Sequence, residues 1–224
     1  MKEAANSLLK ILEEPPEYAH LLILTENPGE LLPTIRSRCS LFRLGAAPTG
    51  EIEALLTERR LDWKPRERAL VARLAAGAIG QALNFDLAGY LASRQDALIV
   101  LHSAMHERGE ESSGGLRGGA ADHGALFRMT ETYRAGAEGQ EKTAGLLRAF
   151  GGLLEDLLLL QAGVADRVRN IDLVPELTRM AQSITPGWIE AAARGVVHVE
   201  QGMRRNLLRS LALDAFALGL EFAD

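Results

Sequence analysis

The sequence predicts a mainly α protein in which the end of an α/β unit precedes a long run of helices. Short, nearly continuous apolar runs, typical of buried strands, occur at residues 19–25 and 40–44, with a helical stretch between them. From residue 49 onward, apolar residues recur at helical spacing instead. The 224 residues are 47% hydrophobic and 25% charged, which is the balance of a globular protein with a core.

The first 44 residues predict alternating elements. Apolar residues at positions 5, 8, 9 and 12 indicate an amphipathic helix, and Pro15 and Pro16 stop it near Glu14. The next elements are a strand, a turn, a short helix and a second strand, at residues 19–25, 27–29, 31–37 and 40–44. Two strands cannot form a stable sheet, so this segment is expected to be the end of a larger, truncated domain.

The rest of the chain predicts helices only. Three short helices with apolar positions 52–56, 70–74 and 82–91 are separated by Pro65 and Gly77, and form a bundle of about fifty residues. Longer helices follow, at residues 146–160, 173–183, 188–202 and 205–222. Residues 108–124 are rich in Gly and Ser and predict a flexible loop.

Charge and cysteine content exclude several classes of function. A net charge of −5 gives no overall field for binding DNA or an anionic membrane, so any nucleic-acid contact must be local. The single cysteine, Cys39, excludes an internal disulfide framework and is typical of a reducing compartment. The start lacks a signal-peptide pattern, and Glu155 and Asp156 interrupt the most apolar stretch. We therefore expect a cytoplasmic protein with no membrane segment.

Several polar groups could carry chemistry, but each has a simpler structural interpretation. Glu13 and Glu14 are adjacent on a helix and point about 100° apart, which favours solvated surface groups over an acid-base pair. His102 and His106 share a helix face, but no third ligand is evident, so no metal site is predicted. No Cys-His-Asn or Cys-His-Asp order of catalytic residues accompanies Cys39 in the sequence, so Cys39 is expected to be a small core residue.

Arginines occur in two clusters with different expectations. The C-terminal cluster is interpreted as the solvated face of a leucine-striped helix and comprises Arg204, Arg205, Asn206 and Arg209. Arg36 and Arg38 lie at the end of a short helix, where guanidinium groups can be held rigidly and can reach a phosphate on another subunit. The chain itself has no phosphate-binding Gly-x-x-x-x-Gly-Lys-Ser/Thr loop, since none of its four lysines follows a glycine.

Two sequence blocks resemble the bacterial clamp-loader AAA+ proteins. They are Ala-Asn-Ser-Leu-Leu-Lys-Ile-Leu-Glu-Glu-Pro-Pro at residues 5–16 and Leu-Pro-Thr-Ile-Arg-Ser-Arg-Cys at residues 32–39, and residues 206–213 are similar to the closing helix of the family's collar. The resemblance implies that residues 1–44 are the remnant of an AAA+ nucleotide-binding core. It implies a three-helix lid at residues 45–92 and a helical collar at residues 93–224.

The resemblance also implies roles for particular residues. Ser37-Arg38-Cys39 matches the family's Ser-Arg-Cys motif, with Arg38 as an arginine finger that acts in trans, and Arg36 is the less favoured of the two arginines. Thr25 occupies the sensor 1 position, where a side chain can contact nucleotide. No cofactor is expected on this chain, because the ATP and Mg²⁺ in question are bound by neighbouring subunits.

The lid sequence bears on the type of subunit. Residues 77–83 resemble the lid motif, but Gly80 and Gln81 stand where ATP-hydrolysing motor subunits carry a sensor 2 arginine. This favours a non-hydrolysing subunit of a hetero-pentamer with motor subunits and the delta subunit, which loads the sliding clamp onto primed DNA. The alternatives are a fragment of the ATP-hydrolysing motor subunit, of gamma/tau type, and a helical adaptor without a finger role.

Overall fold

The computed structural model describes residues 11–111, 133, 136–204, 213, 215, 216, 219 and 220. The chain divides into two units, Met1–Gly45 and Ala46–Asp224. The described part is mainly helical, as the sequence predicts, and no strand occurs within it. None of the helices in these ranges combines the length and apolar character that crossing a membrane requires.

The first unit holds little regular structure among its described residues. A helical segment ends at residue 13, which confirms the predicted stop ahead of Pro15 and Pro16. A 3₁₀ turn covers Pro28–Glu30, and a single-turn helix, α1, covers Pro33–Arg36. The predicted short helix is therefore present, with narrower bounds than residues 31–37.

The two predicted strands are wrong for this structure. Residues 19–25 and 40–44 carry no strand, and most of their large side chains face solvent. Leu22 and Leu24 are each 91% exposed, and Phe42 and Leu44 are 85% and 93% exposed. A strand needs a neighbour to accept and donate its backbone hydrogen bonds, and no strand pairs with either run in the described part of the chain.

The second unit contains seven α-helices among its described residues. They are α2 (Thr49–Arg59), α3 (Pro65–Leu74), α4 (Ile79–Leu83), α5 (Leu87–Glu111), α6 (Gly136–Gln161), α7 (Val174–Ser183) and α8 (Pro186–Arg204). Short 3₁₀ turns at Ala165–Arg167 and Ile171–Leu173 join α6 to α7. These helices confirm the predicted ones between residues 146 and 202. The predicted helix 205–222 lies largely outside the described residues.

Two helix boundaries differ from the predictions. The third short helix was expected to run through residues 82–91, but it ends at Leu83 and α5 begins at Leu87. Asp86 causes the break, because its Oδ1 accepts a hydrogen bond from the Gly89 N–H at 3.0 Å and so caps α5. At its other end α5 continues to Glu111, so the predicted loop is wrong at residues 108–111. Residues 112–124 lie outside the described part.

Two hydrophobic clusters form in the second unit. The smaller cluster lies between α2, α3 and α4, where Ile52, Leu56 and Val71 are fully buried. The larger cluster surrounds α6, which contacts α5, α7 and α8 and buries Phe150. The Trp188 indole is also fully buried, and its Nε1 donates to the Leu220 carbonyl at 2.9 Å. Burial of each such side chain contributes about 1.5–3 kcal/mol.

A buried polar network, the Asp156 network, ties the start of α5 to the segment after α6. The Asp156 side chain is fully buried. Its oxygens accept hydrogen bonds from the Arg169 N–H at 2.8 Å, the Asn170 N–H at 3.0 Å and Asn170 Nδ2 at 2.7 Å. Asn170 Oδ1 in turn accepts from Tyr90 at 2.7 Å and from Arg94 at 3.0 Å. Both residues lie on α5.

Two arginines complete the connection. The guanidinium of Arg94 donates to both carboxylate oxygens of Asp172, at 2.8 and 2.7 Å. Arg73, on α3, donates to the carbonyls of Asp166 and Val168, at 2.6 and 3.0 Å. A helix of the smaller cluster is therefore bonded directly to the segment that follows α6.

Tyr90 makes the stability of this network depend on pH. Burial raises the pKa of its phenol from 10.0 to about 12, so the fold favours the neutral form. The stabilisation is complete below pH ~10 and is lost as the pH rises through about 12, with a slope of up to about 1.4 kcal/mol per pH unit. Urea unfolding across this interval should therefore give a steeper loss for the wild type than for Tyr90→Phe. Identical slopes would assign the loss to other groups.

Candidate functional site

The Ser37-Arg38-Cys39 motif begins at the end of α1. Pro33 starts this helix at its first position, and Ile35 anchors it as the buried residue of the turn. The Ser37 N–H donates to the Pro33 carbonyl at 2.9 Å, and its hydroxyl donates to the Thr34 carbonyl at 3.1 Å. Ser37 therefore closes the turn and places the next side chain, Arg38, at the helix end.

Arg38 is held at three points. Its backbone N–H donates to the Ile35 carbonyl at 3.1 Å. In the side chain, Nη1 donates to the Thr34 carbonyl at 2.9 Å, and Nη2 donates to Glu13 Oε1 at 2.8 Å. The side chain is 36% exposed. A guanidinium has five N–H donors, so this arrangement uses two and leaves three for an anion.

The other predicted site residues have different surroundings. Arg36 is exposed, and within the described part of the chain its side chain makes no hydrogen bond or ion pair. Cys39 is also exposed, which contradicts the expectation of a small core residue. The reason is that the run after Cys39 forms no strand and leaves the thiol uncovered. The structure thus separates one anchored arginine, Arg38, from one unanchored arginine.

Thr25 is engaged in a local turn. Its hydroxyl donates to the Asn27 carbonyl at 3.1 Å and accepts from the Asn27 N–H at 3.2 Å. Asn27 in turn accepts from the Gly29 N–H at 2.9 Å and so caps the 3₁₀ turn. No hydrogen bond links Thr25 to the Ser37-Arg38-Cys39 motif among the described residues. The sensor 1 role of Thr25 stays a prediction from the resemblance.

Glu13 is the partner that sequence reasoning missed. The sequence predicts a solvated carboxylate here and at Glu14, and both residues are indeed exposed. The structure nevertheless pairs Glu13 with an arginine 25 positions further along the chain. Only the occurrence of both residues in the two family-like blocks could have suggested the pair, because periodicity carries no information over such a separation.

The structure describes the side chain of one of the two histidines expected on one helix face. His102 lies within hydrogen-bond distance of Glu176, with 2.8 Å between Nε2 and Oε1. The side chain of His106 lies outside the described residues. No group of three or more potential ligands that could hold a metal ion occurs in the described part.

Comparison with known proteins identifies relatives of the chain. The family described as DNA polymerase III, delta subunit, matches residues 1–48. The chain is 43% identical to the delta' subunit of DNA polymerase III of Yersinia pestis over 213 residues, which are 92% of this chain and 57% of that protein. It is 27% identical to the Escherichia coli (strain K12) delta' subunit over 211 residues, which are 92% of this chain and 56% of that protein.

A second type of subunit is also related. The chain is 30% identical to the tau subunit of Escherichia coli (strain K12) over 178 residues, which are 78% of this chain and 26% of that protein. The chain therefore spans between a quarter and somewhat more than half of the length of these relatives. These matches confirm the clamp-loader resemblance of the two sequence blocks: the chain is a homologue of the delta' and tau subunits of bacterial DNA polymerase III.

Proposed function

We propose that this chain acts in a non-hydrolysing clamp-loader subunit of DNA polymerase III and supplies Arg38 to ATP bound by a neighbouring subunit. The observation that carries the proposal is the anchoring of Arg38. Its guanidinium is fixed by Thr34 and Glu13 at the end of α1, yet it is partly exposed and keeps three free N–H donors. Arg36, two positions away, has no such anchors among the described residues.

The geometry suits stabilisation of a phosphoryl transfer in trans. An arginine is permanently charged and offers a planar fork of donors that matches phosphate oxygens. Placed beside the γ-phosphate, such a fork offsets the charge that develops during transfer. On this proposal the ATP and its Mg²⁺ are held by the neighbouring subunit, whose residues make the reacting site. To contact nucleotide, the Thr25 hydroxyl would first have to break its hydrogen bonds with the Asn27 backbone.

The second unit is assigned to assembly. We assign residues 45–92 to a lid and residues 93–224 to a collar that closes a pentameric ring with motor subunits and the delta subunit, in the cytoplasm. The separate hydrophobic clusters around α2–α4 and around α6 support this division. The bonds from Arg73 and Tyr90 to the segment after α6 support a lid held firmly against the collar. The ring as a whole would load the sliding clamp on primed DNA.

A motor-type subunit is the second candidate. The relationship to tau, at 30% identity, favours it. One feature of the chain favours the non-hydrolysing type instead: Gly80 and Gln81 stand in the lid motif where a motor subunit carries arginine. A helical adaptor without a finger role would leave the anchoring of Arg38 unexplained.

Native mass spectrometry of a mixture with the motor and delta subunits of the same organism tests the assembly part of this proposal. We expect one copy of the chain in a hetero-pentamer. Homo-oligomers without a mixed ring would favour the motor-type subunit or the adaptor. Ring formation that is the same for wild type and Arg38→Ala would show that Arg38 acts after assembly, which suits a finger.

A further inference from the structure

The ion pair between Glu13 and Arg38 joins the two family-like sequence blocks of the first unit. Glu13 is the last residue of the helical segment that stops before Pro15. Its Oε1 lies 2.8 Å from Arg38 Nη2, and the side chains of Glu13 and Arg38 are 50% and 36% exposed. The adjacent Glu14 is exposed and makes no hydrogen bond or ion pair with the described residues.

The pair determines how the guanidinium is oriented. Thr34 holds Nη1 and Glu13 holds Nη2, so the two terminal nitrogens of the fork are fixed from different sides. Without Glu13, a single hydrogen bond to a carbonyl would leave the fork free to rotate about that contact. An arginine that is already oriented loses less rotamer freedom when it meets a phosphate.

We propose that Glu13 is a positioning residue that orients Arg38 for a phosphate on the neighbouring subunit. The inference rests on the proposed function and deepens it by adding a second residue to the finger. Glu13 orients Arg38 without keeping it from the phosphate. An exposed ion pair contributes little free energy and cannot compete with a multiply charged phosphate for the guanidinium. Arg38 Nη2 also has a second N–H, which can reach the phosphate while the first stays on Glu13.

The test is single-turnover ATP hydrolysis in an assembled ring. In that ring only the subunit facing Arg38 keeps an intact phosphate-binding loop. Glu13→Ala is expected to slow hydrolysis about two- to fivefold, the range that an exposed ion pair supports. Glu14→Ala is the matched control and is expected to leave the rate unchanged. Glu13→Gln keeps a side-chain acceptor and the size of the side chain, so its rate should lie between those of Glu13→Ala and the wild type.

A double substitution separates positioning from general stability. In an Arg38→Ala background, Glu13→Ala is expected to have no further effect, because there is no guanidinium left to orient. The effect of Glu13→Ala alone should also shrink at high ionic strength, where an exposed pair is screened. A purely structural loss would persist in both conditions.

Each other outcome is decisive. A wild-type rate or an increased rate for Glu13→Ala, with Arg38→Ala strongly impaired, would overturn the positioning role and leave the finger intact. An equal loss in the wild-type and Arg38→Ala backgrounds would show that Glu13 acts elsewhere. If Arg38→Ala itself hydrolyses ATP at the wild-type rate, the proposed function fails and the positioning role fails with it.

Discussion

Replacing Arg38 with alanine is expected to reduce, without abolishing, steady-state ATP hydrolysis by the assembled clamp loader. At the one site that Arg38 reaches, the loss should be large, since arginine fingers contribute about 10³–10⁵ in rate in other phosphoryl-transfer systems. On the proposed function, sites elsewhere in the ring do not face Arg38 and are expected to keep turning over. Total turnover therefore falls only in part.

Matched variants identify the property of Arg38 that matters. Arg36→Ala removes an exposed arginine two positions away that has no described partner, so it is expected to leave turnover unchanged. Arg38→Lys keeps the positive charge but loses the planar fork and the simultaneous contacts to Thr34 and Glu13, so it should resemble Arg38→Ala more than the wild type. Turnover is measured at saturating ATP, with ring assembly verified for every variant. Equal losses for Arg36→Ala and Arg38→Ala would indicate a general charge effect.

Replacing Asp156 with alanine is expected to lower the free energy of unfolding by about 3–5 kcal/mol, because each buried donor left without a partner costs about 1–3 kcal/mol. The substitution removes the hydrogen-bond acceptor of the Arg169 and Asn170 backbone N–H groups and of the Asn170 side-chain amide. Asn170 is itself fully buried and holds Tyr90 and Arg94, so the contact of α5 with this segment weakens as well. Urea unfolding followed by circular dichroism gives the measurement.

The neighbouring residue provides the control for Asp156. Glu155 also contacts Arg169, but through an exposed ion pair between side chains, at 2.8 Å. Glu155→Ala is therefore expected to cost about 1 kcal/mol or less. Equal destabilisation by the two substitutions would show that the Asp156 network does not have the importance that its burial indicates.

The sequence predicted the helices of this chain better than its strands. Helical periodicity is local, so the apolar stripes of α2, α3, α6, α7 and α8 identified the helices directly. Strand formation depends on a partner, so the apolar runs at residues 19–25 and 40–44 carry no strand and are largely exposed here. The break between α4 and α5 depends on one cap, Asp86, which the continuous apolar pattern concealed.

The polar contacts were the least predictable. In the sequence, Glu155 and Asp156 are visible only as an interruption of an apolar stretch. In the structure, Glu155 lies at the surface, whereas Asp156 is fully buried at the centre of the Asp156 network. The candidate finger, Arg38, was found from its motif, but Glu13 was not found as its partner. The contacts of Asp156 with Asn170 and of Glu13 with Arg38 join residues that are separated in the sequence, and only the fold brings such residues together.

The most direct test of the central claim is single-turnover ATP hydrolysis at the one site facing this chain, in a ring whose other phosphate-binding loops are inactivated. Our account predicts that Arg38→Ala slows this step about 10³-fold or more, whereas Arg36→Ala does not change it. A wild-type rate for Arg38→Ala in the fully assembled ring would contradict the assignment of Arg38 as a finger that acts in trans.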